Sequence, residues 1–125
     1  MDDQIVRITP NGVQAVTPLY NAPGAGIKHD TGKLQWNLLP LKYLRGTVRV
    51  LMFGAKKYAP WNWRKGMPWT QPYNALQRHL DAWIEGEDID PETGENHLDH
   101  AMCELVFLRC FVEEHPDKDD RFKKP

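Results

Sequence analysis

The residues best equipped for chemistry lie between Arg78 and Glu104: Arg78, His79 and Asp81 first, then an acidic run, then His97, Asp99, His100 and Glu104. On a helix, His97, His100 and Glu104 fall at i, i+3 and i+7 and project from one face. The segment that carries them is otherwise almost wholly apolar, and an ionised glutamate there needs a partner or a cation. If an antiparallel neighbour carries His79 and Asp81, the groups form a cluster suited to Mg²⁺, Mn²⁺ or a transition ion. Two plainer roles stand beside this one: histidines bonded to the turn, and Glu104 paired with Arg78. Cys103, three residues after His100, would allow a His/His/Cys zinc set. It follows the helix toward a different face from His97, however, and buried free cysteine is common, so it is left out.

Charge is segregated along the chain. From Lys28 to Arg78 there are ten Lys or Arg residues and one acid, Asp30; from His79 to Glu104 there are nine acids and no Lys or Arg. The net charge of -1 conceals this. Either the two surfaces pair with each other, within the fold or between subunits, or they are two halves of a site for a phosphorylated ligand. The basic half contains Tyr58-Ala-Pro-Trp61-Asn-Trp63-Arg64-Lys65-Gly-Met-Pro-Trp69, three tryptophans with two cations between them. Aromatic planes stack on bases and cations hold phosphates, so the composition fits a nucleotide. The plainer role for these tryptophans is to plug the end of a small helical core. Gly26-Ile-Lys28-His-Asp30-Thr-Gly32-Lys33 is a polar loop able to offer ammonium and backbone N–H groups to an anion, although its glycine spacing is not that of a Walker A loop.

Three helices must position these groups. The first follows Pro40, with Leu41, Leu44, Val48, Leu51, Met52 and Ala55 at the spacing of one buried face. Lys56 and Lys57 suit its C-terminal dipole. The second starts near Thr70-Gln-Pro72, turns Tyr73, Leu76, Leu80 and Trp83 inward, and ends at Gly86. The turn from Glu85 to Glu95 alternates acids like a calcium loop, but Thr93 stands where that loop needs glycine. Asn96 caps the third helix, whose apolar body predicts a place at the centre of the domain or of an oligomer. Upstream, Ile5–Ile8 and Val13–Val16 flank an Asn-Gly, which predicts a hairpin or extended arm. The expected fold is therefore mainly α, a small bundle of about three main helices. Residues 1–26 form an arm, 27–115 a helical nucleotide-binding domain and 116–125 a flexible tail.

With 125 residues the chain holds one modest core, and no apolar run approaches the length of a membrane span. MDDQIVRITP lacks the layout of a signal peptide. Cys103 and Cys110, seven apart on one helix, cannot bridge each other, which suggests reduced thiols and a cytoplasmic setting.

Several ordered blocks resemble a known family: Gly26-Ile-Lys-His-Asp-x-Gly-Lys33 with Leu38-Leu-Pro40, Gly54-Ala-Lys-Lys-Tyr58, Asn62-Trp-Arg-Lys-Gly66, Arg78-His-Leu-x-Ala-Trp83, Gly86-Glu87, Asp90-x-Glu-Thr-Gly94 and His97-Leu-x-His-Ala101. Together they cover residues 26–108 and resemble the phage dATP/dGTP diphosphohydrolase N-terminal domain, related by name to the MazG-like enzyme MazZ. The resemblance implies a helical bundle that cuts nucleoside triphosphates between the α and β phosphates in the host cytoplasm. MazG-type enzymes hold Mg²⁺ with Glu-x-x-Glu on one helix and Glu-x-x-Asp on the next; the comparable places here read Arg78-x-x-Asp81 and His97-x-x-His100.

For hydrolysis, Asp81, His97, His100 and Glu104 would hold Mg²⁺ or Mn²⁺. Lys28, Lys33, Arg64, Lys65 and Arg78 would neutralise phosphates, with Trp61 and Trp63 on the base. Glu87 or His79 would serve as the proton acceptor. The expected partners are a nucleotide and a second copy of the chain, not a membrane or polymeric nucleic acid. The competing functions are a non-catalytic nucleotide binder, such as one that sequesters a signalling nucleotide of host defence, and a structural protein whose charged faces join subunits.

Overall fold

A computed structural model describes residues 5–16 and 23–125. The chain divides into two compact units, 1–38 and 39–125. In the first, Ile5–Thr9 (β1) and Gly12–Val16 (β2) pair antiparallel with Ile5 opposite Val16. The expected hairpin or arm over 1–26 falls partly outside the described residues, and the fold class rests on the helices.

The second unit is three helices: α1 (Arg45–Lys57), α2 (Thr70–Ile84) and α3 (His97–Glu114). Single 3-10 turns precede α1 at Leu41–Leu44 and lie within the tryptophan loop at Asn62–Lys65. Helix α3 packs against both α1 and α2, the central place its apolar sequence predicts. Asn96 is its N-cap and accepts the Leu98 N–H at 2.8 Å. Gly86, at φ 101°, follows α2 and reverses the chain where a side chain would be strained.

The core runs along the crossings of α3 and contains Val50, Leu76, Ala101, Cys103 and fully buried Phe111. Burying a phenylalanine of this kind contributes about 1.5–3 kcal/mol. Trp69 is buried at the start of α2, where its indole N–H donates to the His115 carbonyl at 3.0 Å, so the polar edge is satisfied. The closing residues, expected to fray, fold back onto the same point. Asp120 accepts the Thr70 backbone N–H at 3.0 Å and the Thr70 hydroxyl at 2.5 Å, capping α2 from the tail.

The inner face expected of α1 is not the observed one. Leu41, Val48 and Met52 are exposed, whereas Gly46, Thr47 and Val50 are buried. Helices α1 and α3 approach through small residues: the Asp99 carboxylate lies where a Gly46 side chain would be, and Thr47 donates to the Asp99 carbonyl at 3.1 Å. The larger apolar residues Val48, Leu51, Met52 and Ala55 line an open cavity instead.

Candidate functional site

That cavity, of about 660 Å³, lies within the second unit. Its size is that of a small-molecule site. One wall is the C-terminal half of α1 with Tyr58, Trp61, Asn62, Trp63 and Met67; the other brings His79 from α2, Asp90, Glu92 and Thr93 from the acidic turn, and His100, Cys103, Glu104 and Phe107 from α3. The indole-rich loop and the imidazole-carboxylate region, far apart in sequence, therefore share one concavity.

Trp63 is fixed by stacking on Phe107, with ring centroids 4.5 Å apart. Trp61 is 64% exposed at the rim and sits in the left-handed region at φ 63°, a conformation that costs a non-glycine residue about 1–2 kcal/mol. Among the described residues this is the one non-glycine at positive φ.

Opposite, the side chains are tied to each other. His97 is buried and its Nε2 lies 2.7 Å from Glu87 Oε1. A carboxylate oxygen accepts, so Nε2 directs its N–H at Glu87 and Nδ1 is turned toward α2. That Nδ1 is 2.9 Å from His79 Nδ1, and the His79 ring stacks on His100 at 4.4 Å and 9°. His100 Nε2 in turn meets the Thr93 hydroxyl at 2.6 Å. Burial, then the neighbouring His100, pushes the His79 pKa down to about 4, and burial likewise lowers that of His100. Both rings are therefore neutral at pH 7, and the 3.8 Å approach of His79 to Asp90 is not an ion pair there.

Asp90 is itself held by the turn, its Oδ1 accepting the Glu92 and Thr93 N–H groups at 2.7 and 3.3 Å. Burial works against its ionisation, but these N–H bonds and the nearby imidazoles outweigh it and leave its pKa below the usual value. Glu104 goes the other way: burial pushes it up to about 7, with Arg78 pulling weakly in the opposite direction. Cys103, 2% exposed, is pushed up to about 12 by burial and is a neutral thiol. Both cysteines are free.

The residues picked out from sequence are distributed unequally. Trp61, Trp63, His79, His100 and Glu104 line the cavity, with His97 directly behind His79. Asp81 is exposed on α2 and off the lining. Arg64 is turned to Glu114 in a bidentate pair, at 2.6 Å through Nη2, with its guanidinium 5.4 Å from the Trp61 ring. Lys65 and Arg78 are exposed and off the lining. Lys28 and Lys33 belong to the first unit. Among the described residues the one Lys or Arg on the lining is Lys57, which donates to Glu92 at 3.0 Å. Together with Arg49–Glu95, these pairs tie three of the ten cations of the basic stretch to carboxylates within the fold. Asp90, Thr93 and Lys57 were not picked out from sequence; the Asp-Pro-Glu-Thr-Gly turn that carries the first two was the only signal for them.

A small helical unit whose cavity combines indoles, imidazoles and carboxylates has the lining expected of a small-molecule site. The particular family follows from comparison with known proteins. Residues 23–121 match the family described as "dATP/dGTP diphosphohydrolase, N-terminal", and the chain belongs to it. A similar protein is the dATP/dGTP diphosphohydrolase of Salmonella phage PMBT28, 34% identical over 96 residues. The alignment takes in 77% of this chain and 33% of that relative, so the chain spans about a third of the relative's length. No solved structure matches. Among the described residues no helix is long and apolar enough to cross a membrane.

Proposed function

We propose that the helical unit binds a purine deoxynucleoside triphosphate in this cavity and hydrolyses it to the monophosphate and pyrophosphate. The observation that carries the reading is the shared concavity: Trp61 and Trp63 on one side, His79, His100 and Glu104 on the other. Family membership and the relative's name support nucleotide hydrolysis as the general chemistry. The base lies against the indoles, and the triphosphate extends toward Lys57 and the turn, with Lys65 and Arg78 as further candidates to neutralise it.

A divalent cation, Mg²⁺ or Mn²⁺, belongs to this reading. Lining residues that would offer it oxygen are Asp90, Glu92 and Thr93, beside two imidazoles. That mixture suits Mn²⁺ better than Mg²⁺, which asks for oxygen alone. Bound there, the ion supplies charge neutralisation and a more acidic water. Glu104, poised near neutral pH, is the side chain placed to take the proton as water oxygen bonds to the α phosphorus and pyrophosphate departs. Glu87 is committed to His97 and orients it.

Non-catalytic binding is favoured by one specific observation: Lys57, the one Lys or Arg on the lining among the described residues, and nearby Arg64 are already paired with carboxylates. Incubation with each dNTP plus Mg²⁺ or Mn²⁺, with separation of products, decides between the two. Pyrophosphate release supports hydrolysis, tight binding of intact nucleotide supports sequestration, and no binding of any nucleotide refutes both. A homo-oligomer acting in the host cytoplasm completes the proposal. Leu98, Leu105 and Val112, exposed at seven-residue spacing on α3, give it an apolar seam, and light scattering on the purified chain tests it.

A further inference from the structure

The imidazole wall contains a more specific arrangement than a cavity lining requires. Nitrogens of His79 and His97 and a carboxylate oxygen of Asp90 all lie within 4.8 Å of one another. The two Nδ1 atoms are 2.9 Å apart, and Asp90 Oδ2 is 3.8 Å from His79 Nδ1. The three side chains come from α2, the acidic turn and the first position of α3, and each is held independently. Asp90 spends Oδ1 on the turn's N–H groups, which leaves Oδ2 for the cluster. His97 is fixed through Glu87, and His79 by stacking on His100, itself held by Thr93. Two facing imidazole nitrogens this close share either a proton or a cation.

We propose that His79 Nδ1, His97 Nδ1 and Asp90 Oδ2 form a binding site for a divalent transition ion that prefers imidazole nitrogen, of the Zn²⁺, Co²⁺ or Ni²⁺ class. Glu87 holds His97 in the ligating tautomer, the role carboxylates play behind metal-bound histidines. Bonds of about 2.0–2.1 Å at tetrahedral angles set ligand atoms about 3.3 Å apart. The observed 2.9 and 3.8 Å lie on either side of that value, and all three ligand atoms fall within 4.8 Å of one another, so side-chain rotation draws them onto one ion. Three protein ligands leave one position open. His79 and Asp90 line the cavity and His97 does not, so the open position faces the cavity, as in catalytic zinc sites. The site shares Asp90 with the cation set of the nucleotide reading but needs no nucleotide, so it stands whether or not one binds.

The test is titration of the metal-stripped full chain with Co²⁺, followed by visible absorption, then displacement by Zn²⁺ and challenge with excess Mg²⁺. One ion per chain is expected, displaced by Zn²⁺ and unaffected by millimolar Mg²⁺ (on the order of 100-fold excess). Asp90→Asn keeps the Oδ1 that caps the turn and removes the anionic ligand, so it weakens binding at least ~10-fold. Glu87→Gln, at a side chain 55% exposed, weakens binding about 10–100-fold while the melting temperature of the metal-free protein is unchanged. Absence of stoichiometric Co²⁺ binding overturns the proposal. So does wild-type affinity in both variants, which would put the ion elsewhere, such as at His29 or His115. Nucleotide binding measured with Mg²⁺ as the sole divalent ion is a separate readout, so failure of the metal site and failure of the nucleotide reading are distinguishable.

Discussion

Glu104→Gln has an effect on stability whose size and pH window follow from the structure. In the cavity wall the Glu104 carboxyl is pushed up to about 7 by burial, against an ordinary value of 4.5. The folded chain therefore holds this proton more tightly than the unfolded chain. The resulting stability is fully present below pH 4.5 and is lost as pH rises through about 7. The gap of about 2.5 pH units corresponds to about 3.4 kcal/mol, and partial solvent screening of the side chain brings this to about 2 kcal/mol. Glutamine keeps the volume and stays neutral, so it removes the dependence. In chelator and without nucleotide, the variant and the wild type should unfold at the same urea midpoint at pH 4.5. Above about pH 8 the variant should be more stable by about 2 kcal/mol, or about 10 °C in melting temperature for a unit of this size. The difference between the proteins is the quantity to follow. His79, held down to about 4 from 6.5, makes the wild type lose stability as pH falls through the same window, and subtraction cancels that opposing slope. A pH-independent difference, or a variant less stable at alkaline pH, would refute the buried-carboxyl argument.

The other substitutions separate binding from folding. Trp61→Gly should lower nucleotide affinity about 10-fold by loss of stacking. It should change stability by less than about 1 kcal/mol, because relief of the left-handed residue offsets the freer unfolded chain; calorimetric titration and urea unfolding read the two effects. Gly46→Ala should destabilise by about 1–3 kcal/mol in urea, despite its better helix propensity, because the new methyl meets the Asp99 carboxylate at the α1–α3 crossing. Arg64→Ala, which breaks an exposed pair with Glu114, should leave the urea midpoint close to that of the wild type in the same assay.

Sequence alone determined the helical class, and it did so through local rules. Periodic apolar residues, the glycine after α2, the Asn96 cap and the proline-broken tryptophan loop act within a few residues of themselves, so they are legible without a fold. The His97, His100 and Glu104 face was legible for the same reason, since helix spacing fixes it. The partner carboxylate was not. Asp81, two residues after His79, points about 200° around α2 from it, whereas Asp90 reaches the cluster because backbone hydrogen bonds across the acidic turn carry it there. The buried face of α1 was also decided by tertiary packing: a close crossing on α3 selected Gly46 and Thr47 and left the larger apolar side chains to the cavity. The segregated charge was visible as a pattern, but only the fold showed how much of it is consumed by Arg49–Glu95, Lys57–Glu92 and Arg64–Glu114. Pairing between residues tens of positions apart depends on where whole helices lie, and composition does not encode that placement.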